Sequence, residues 1–289
     1  MTTCLQTHEY VLPFIFLSFM DDAHGAKTPL SDEAQLSLIK ELLPKMVGLR
    51  AVHIEVIHLG KVFMDAFLEM AAKVPLEVPL DINTYPSGIC IKPHTLLCIS
   101  DLYLISNVAK PSIEVFHQML CASVATLTKL SMVISRDELR KLMGIGLPFI
   151  HDLTLSITRQ QENEISSTGV ATFITTQRTV RKLYVNGEVS PLPPGALPNL
   201  HKLNTPIELV KQLVPGQPVE AIDITSSPEN GQDWCREEIA KSTALIQKLF
   251  LKTTILNTAM VDQIVTILPS LERLSLLVPE DVSGPFTIP

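Results

Sequence analysis

One pattern runs the length of this chain and limits what it can fold into. An apolar residue is followed by two variable residues, a second apolar residue, one variable residue and a third apolar residue. It is clearest at Leu271-Glu-Arg-Leu274-Ser-Leu276 and returns at Ile246-Gln-Lys-Leu249-Phe-Leu251 and Val219-Glu-Ala-Ile222-Asp-Ile224. Upstream stand Val180-Arg-Lys-Leu183-Tyr-Val185, Ile150-His-Asp-Leu153-Thr-Leu155 and Leu127-Thr-Lys-Leu130-Ser-Met132. Further back are Ile99-Ser-Asp-Leu102-Tyr-Leu104, Leu49-Arg-Ala-Val52-His-Ile54 and Leu12-Pro-Phe-Ile15-Phe-Leu17. Leu200-His-Lys-Leu203-Asn-Thr205 and Pro75-Leu-Glu-Val78-Pro-Leu80 are degenerate copies. Alternation at the fourth and sixth positions is the period of a short strand with one buried face.

The segments between these strands have helical character. The pattern predicts helices over Phe63–Ala72, Ser112–Ala122, Arg136–Met143, Val170–Thr176, Ile207–Leu213, Trp234–Thr243 and Ala259–Ile267. Ser135-Arg-Asp-Glu138 has capping-box spacing, and Thr205-Pro206-Ile-Glu208 offers a proline for the first helical position. A strand and then a helix, repeated, with starts mostly 19 to 30 residues apart, matches the roughly 20–29-residue period of leucine-rich repeats. Asn83, Asn107, Ser135, Thr158, Ser227 and Thr254 stand three residues after the last strand apolar, where such repeats place a side chain that hydrogen-bonds adjoining coils. A doubly wound α/β domain would need long apolar strands and Gly-rich phosphate turns; neither G-x-G-x-x-G nor G-x-x-x-x-G-K-[ST] occurs. Pro79 predicts a distorted strand in its copy, because a central strand needs every N–H.

The expected fold is therefore α/β: a right-handed leucine-rich-repeat-like solenoid, or horseshoe, with parallel strands on the concave face and helices outside. It forms a single domain over 1–289, of which residues 1–45 are an N-terminal coil and cap with a helix over Asp32–Leu43. The block Leu197–Thr225, LPNLHKLNTPIELVKQLVPGQPVEAIDIT, resembles one that recurs in fungal F-box proteins with a leucine-rich-repeat (ribonuclease-inhibitor-like) region. Leu268-Pro269-Ser-Leu271 and Leu43-Pro44 share its Leu-Pro flavour. The resemblance implies the substrate receptor of an SCF-type ubiquitin ligase, whose F-box docks on a Skp1-type adaptor while the repeats hold the substrate. No F-box is evident, so adaptor binding is expected only if one lies upstream of Met1. The alternative is a ligase-independent scaffold or regulator of ribonuclease-inhibitor type.

Cysteines Cys4, Cys90, Cys98, Cys121 and Cys235 are odd in number and form no Cys-x-x-Cys pair, which indicates a reduced, intracellular setting in cytoplasm or nucleus. The apolar run Tyr10–Met20 is 11 residues long, too short for the roughly 20 that span a bilayer as a helix, so no membrane partner is expected. Cys90-x₃-His94-x₃-Cys98 has ligand chemistry but lacks a fourth zinc ligand nearby. His151-Asp152, as strand neighbours, point to opposite faces, and Glu237-Glu238 reads as a solvated helix face. No metal, cofactor or catalytic residue is assigned, and the expectation is a non-enzyme.

What remains is the open wall. The residue just before the fourth position reads Lys129, Asp152, Lys182, Lys202, Ala221, Lys248 and Arg273, largely cationic in a chain of net charge −7. The residue just after it adds His53, Tyr103, Tyr184 and Phe250. Stacked cations repel, so this surface is expected to take a protein partner through an acidic or phosphorylated segment. The overall negative charge disfavours nucleic acid.

Overall fold

The structure is a computed structural model. It describes residues 14–18, 51–55, 76–78, 95–105, 112–158, 167–225, 234–252 and 258–277, with a few single positions between 37 and 91. The chain forms two compact units, Met1–Ile150 and His151–Pro289.

In the first unit, β1 (Phe14–Ser18) pairs in parallel with β2 (Ala51–Glu55). β3 (Leu76–Val78), β4 (Ile99–Ile105) and β5 (Lys129–Ser135) form a second parallel set in chain order. β3 is short, its register slips between Leu76 and Glu77, and it stops just before Pro79, whose ring leaves no N–H to donate. Helices α1 (Ser112–Ser123) and α2 (Arg136–Leu142) follow β4 and β5. The capping box at the start of α2 is formed as its spacing predicts. Ser135 Oγ accepts from the Glu138 amide at 3.3 Å, and Glu138 Oε2 accepts from the Ser135 amide at 3.0 Å.

Among the described residues the second unit holds six parallel strands in chain order: β6 (Asp152–Thr158), β7 (Lys182–Asn186), β8 (Lys202–Thr205), β9 (Ala221–Ile224), β10 (Lys248–Lys252) and β11 (Arg273–Leu277). Between them lie α3 (Ser167–Thr176), α4 (Ile207–Leu213), α5 (Arg236–Ile239) and α6 (Thr258–Ile267). Each strand pairs with its successor, so every crossover advances by one strand, the order of a solenoid-like winding. The second apolar residue of each copy falls into one cross-strand row, Leu153, Leu183, Leu203, Ile222, Leu249 and Leu274. All but Leu274, on the last strand, are buried. Each buried side chain contributes about 1.5–3 kcal/mol. They share the interior with helix residues such as Val170, Phe173, Val210, Leu213 and Ile264.

Helices α1, α2 and α6 keep their expected bounds to within one residue and α4 spans Ile207–Leu213 as expected, whereas α3 starts at Ser167, three residues before the expected Val170. Pro206 is the N-cap of α4 and not its first residue: its carbonyl takes the first helical hydrogen bonds, from Leu209 and Val210, while its ψ of 155° stays extended. The helix expected over Trp234–Thr243 shrinks to Arg236–Ile239. Ser242 and Thr243 end it, because their hydroxyl and amide are taken by the preceding coil: Ser242 Oγ lies 3.0 Å from Gln217 O and 2.9 Å from Val219 O, and Thr243 N donates to Gln217 O. Thr126 does the same in the first unit, its Oγ1 lying 2.9 Å from both Leu97 O and Ile99 O.

These hydroxyls tie adjoining coils where the residues after the strands were expected to. Ser135 is spent on its helix cap and Thr158 is exposed at the end of β6; Asn83, Asn107, Ser227 and Thr254 lie outside the described residues, as does nearly all of the helix expected over Asp32–Leu43, while Asp65, Leu68, Glu69 and Ala71 of the one expected over Phe63–Ala72 are helical. One further contact fixes strand spacing. Gly187, just after β7, has φ +123°, and a Cβ there would stand 2.8 Å from Ile157 Cβ on β6. Only glycine allows that approach.

Candidate functional site

Side chains alternate across a strand, so residues flanking the buried row of the second unit point away from it. They form two cross-strand rows. The first reads Asp152, Lys182, Lys202, Ala221, Lys248 and Arg273, and the second Thr154, Tyr184, Asn204, Asp223, Phe250 and Ser275. All of them but Thr154 line an open depression of about 430 Å³. Of the residues singled out from sequence, Asp152, Lys182, Lys202, Lys248, Arg273, Tyr184 and Phe250 are thus brought to one surface. Lys129 and Tyr103 belong to the other unit, on β5 and β4.

The cations are not equivalent. Lys182 Nζ lies 3.2 Å from Asp152 Oδ2 on the neighbouring strand. In the first unit Lys129 Nζ lies 3.5 Å from Asp101 Oδ2 in the same cross-strand relation. Both pairs are exposed and contribute only about 0–1 kcal/mol to the fold, but each lysine's charge is answered. Among the described residues, no carboxylate forms an ion pair with Lys202, Lys248 or Arg273. Lys202 and Lys248 stand on either side of Ala221, whose methyl group leaves a gap between them, and Arg273 stands beside Lys248. Just before β8 and β9, His201 Nδ1 lies 3.5 Å from Glu220 Oε1, an ion pair when the imidazole carries its second proton.

Three residues escaped the sequence reading. Asp101 is seen as a partner of Lys129 only once the strand register is known. Asn204 and Asp223 occupy the same repeat position as Tyr184 and Phe250, so their signal was present in the spacing. Asn204 Nδ2 donates to Asp223 Oδ2 at 2.7 Å, while Asn204 Oδ1 is shielded from solvent with no hydrogen-bond partner. Burial pushes the Asp223 carboxyl above its ordinary range.

Elsewhere, Cys121 Sγ lies 3.9 Å from His117 Nδ1, one turn apart on α1. Burial, and then the charge of Glu114, push that thiol up, which disfavours the thiolate a nucleophile needs. Cys90 and His94 lie outside the described residues, and among those described no cluster of metal-ligating side chains forms. Nor is any described helix long and apolar enough to cross a membrane. Compared with protein-family models, curated proteins and solved structures, the chain matches none.

Proposed function

We propose that this protein is a non-catalytic recognition module that binds a protein partner on the outward face of β6–β11. The observation that carries the reading is the set of unanswered cations, Lys202, Lys248 and Arg273, on the same face as Tyr184 and Phe250. Ion-paired lysines offer little to a ligand, whereas cations left unpaired beside aromatic rings steer and hold an anionic one. In this reading the strand–helix coils form a right-handed leucine-rich-repeat-like horseshoe with this face on its concave side. The module works inside the cell and receives an acidic or phosphorylated segment of its partner. The resemblance of Leu197–Thr225 to fungal F-box repeat proteins favours the substrate-receptor role in an SCF-type ligase; a ribonuclease-inhibitor-type scaffold is the second reading.

The test places a photo-crosslinking amino acid at Phe250 and, as a control, at Gln263, an exposed residue of α6. Adducts forming at Phe250 and not at Gln263, destroyed by protease and resistant to nuclease, are the expected result. Equal labelling at both positions, or nuclease-sensitive adducts, would overturn the reading. Capture of a Skp1-type adaptor by the full-length gene product separates ligase receptor from scaffold.

A further inference from the structure

We infer that the segment received by this face is of mixed charge: an extended peptide that sets an acidic side chain on Lys202, Lys248 and Arg273 and, two residues along, a lysine or arginine on Asp223 and Phe250. The inference rests on the protein-recognition reading above and names the chemistry of its partner.

Asp223 lies in the second row, with Asn204 on one neighbouring strand and Phe250 on the other. The Asn204 amide satisfies one carboxylate oxygen. Among the described residues, no cation pairs with Asp223, although Lys202 and Lys248 stand in the adjacent row. Burial pushes its carboxyl above the ordinary range. A partly desolvated carboxylate beside an aromatic ring is an arrangement that an ammonium or guanidinium group satisfies twice, by an ion pair and by contact with the ring.

A purely acidic segment laid across both rows would bring like charge against Asp223, and such juxtaposition works against binding. The row spacing gives the sequence rule. Alternate residues of a strand are roughly 6.6–6.8 Å apart, and an extended ligand repeats at the same distance. A peptide lying along the strands therefore meets both rows with an acidic and a basic residue separated by one.

The test is fluorescence anisotropy on the full chain with three labelled peptides of equal length: alternating Glu-Ser-Lys-Ser, all-acidic Glu-Ser-Glu-Ser, and an oligouridylate as a nucleic-acid probe. The alternating peptide should bind about tenfold more tightly than the all-acidic one, the worth of one well-placed charge pair. Asp223→Asn should reduce that preference to about twofold or less, and Asp223→Lys should reverse it in favour of the all-acidic peptide. A gain of binding by Asp223→Lys also shows that the variant is folded. Equal or tighter binding of the all-acidic peptide by the unaltered chain overturns the mixed-charge inference and leaves recognition of acidic segments standing. Failure of both peptides to bind also overturns it, and the crosslink at Phe250 then decides separately whether the wider reading survives. Preference for the oligouridylate overturns both.

Discussion

The two units carry the same electrostatic device and put it to different ends. In the first, Glu77, Asp101 and Lys129 stand in register on β3, β4 and β5, and the lysine is paired with Asp101. In the second, Asp152 pairs with Lys182, but the row runs on through Lys202, Lys248 and Arg273 with no further carboxylate in it. A chain of net charge −7 thus keeps a cationic stretch on four adjacent strands, β8–β11. Composition does not make a lysine a binding group. The residue opposite it on the next strand decides whether its charge is spent inside the protein or left for a partner.

The largest effect expected is on the register that the comparison depends on. Gly187→Val would drive a branched side chain into Ile157 at a backbone angle of +123°, costing about 3 kcal/mol and lowering the thermal midpoint by roughly 10 °C. Circular dichroism melting checks it; an unchanged midpoint would mean that β6 and β7 do not approach so closely. Next in size is the contrast itself. Lys202→Glu with Lys248→Glu should weaken partner binding about a hundredfold, whereas Lys182→Met should weaken it by less than about threefold. Asp152→Asn, which frees Lys182, should tighten binding to an acidic peptide by roughly threefold. Equal losses at Lys182 and at the Lys202–Lys248 pair would erase the distinction between answered and unanswered cations.

The smallest effect concerns Asp223. Burial raises its carboxyl above the ordinary value of 3.8, so the folded chain holds that proton to higher pH than the unfolded one. Its favourable contribution is full below the ordinary value and is lost as the pH rises through the raised one. At neutral pH the ionised group weighs against the fold. Asp223→Asn should therefore raise the midpoint by about 1 °C at pH 7 and by less at pH 3, solvent screening keeping the change small. Melting curves at the two pH values read the difference directly.

Much of the strand layout was legible because the pleat writes itself into the sequence. Every copy of the apolar pattern, including the degenerate Leu200–Thr205 and Pro75–Leu80, falls on a strand of the structure. Ser135 announced its helix because a capping box is local. What the sequence withheld was relational. Asp101 is 28 residues from Lys129 and reads as one more surface acid until the strands are paired. Asp223 and Asn204 share a repeat position with Tyr184 and Phe250, but their bond to each other exists only once β8 and β9 are paired. The coil-tying hydroxyls hold no constant place: Thr126 stands one residue before Leu127, Ser242 four before Ile246. Bonding to a backbone carbonyl demands a distance in space, not a spacing in sequence, so no motif records it.

Those hydroxyls carry a consequence for how the chain tolerates change. Each lies within hydrogen-bond distance of two carbonyls of the preceding coil, Thr126 three residues before β5 and Ser242 six before β10. A coil is thereby measured by its ends and not by its length, and the connection between clasps is free to grow or shrink without moving the strand that follows. Insertions should collect in those connections, while the wall of strands keeps its phase.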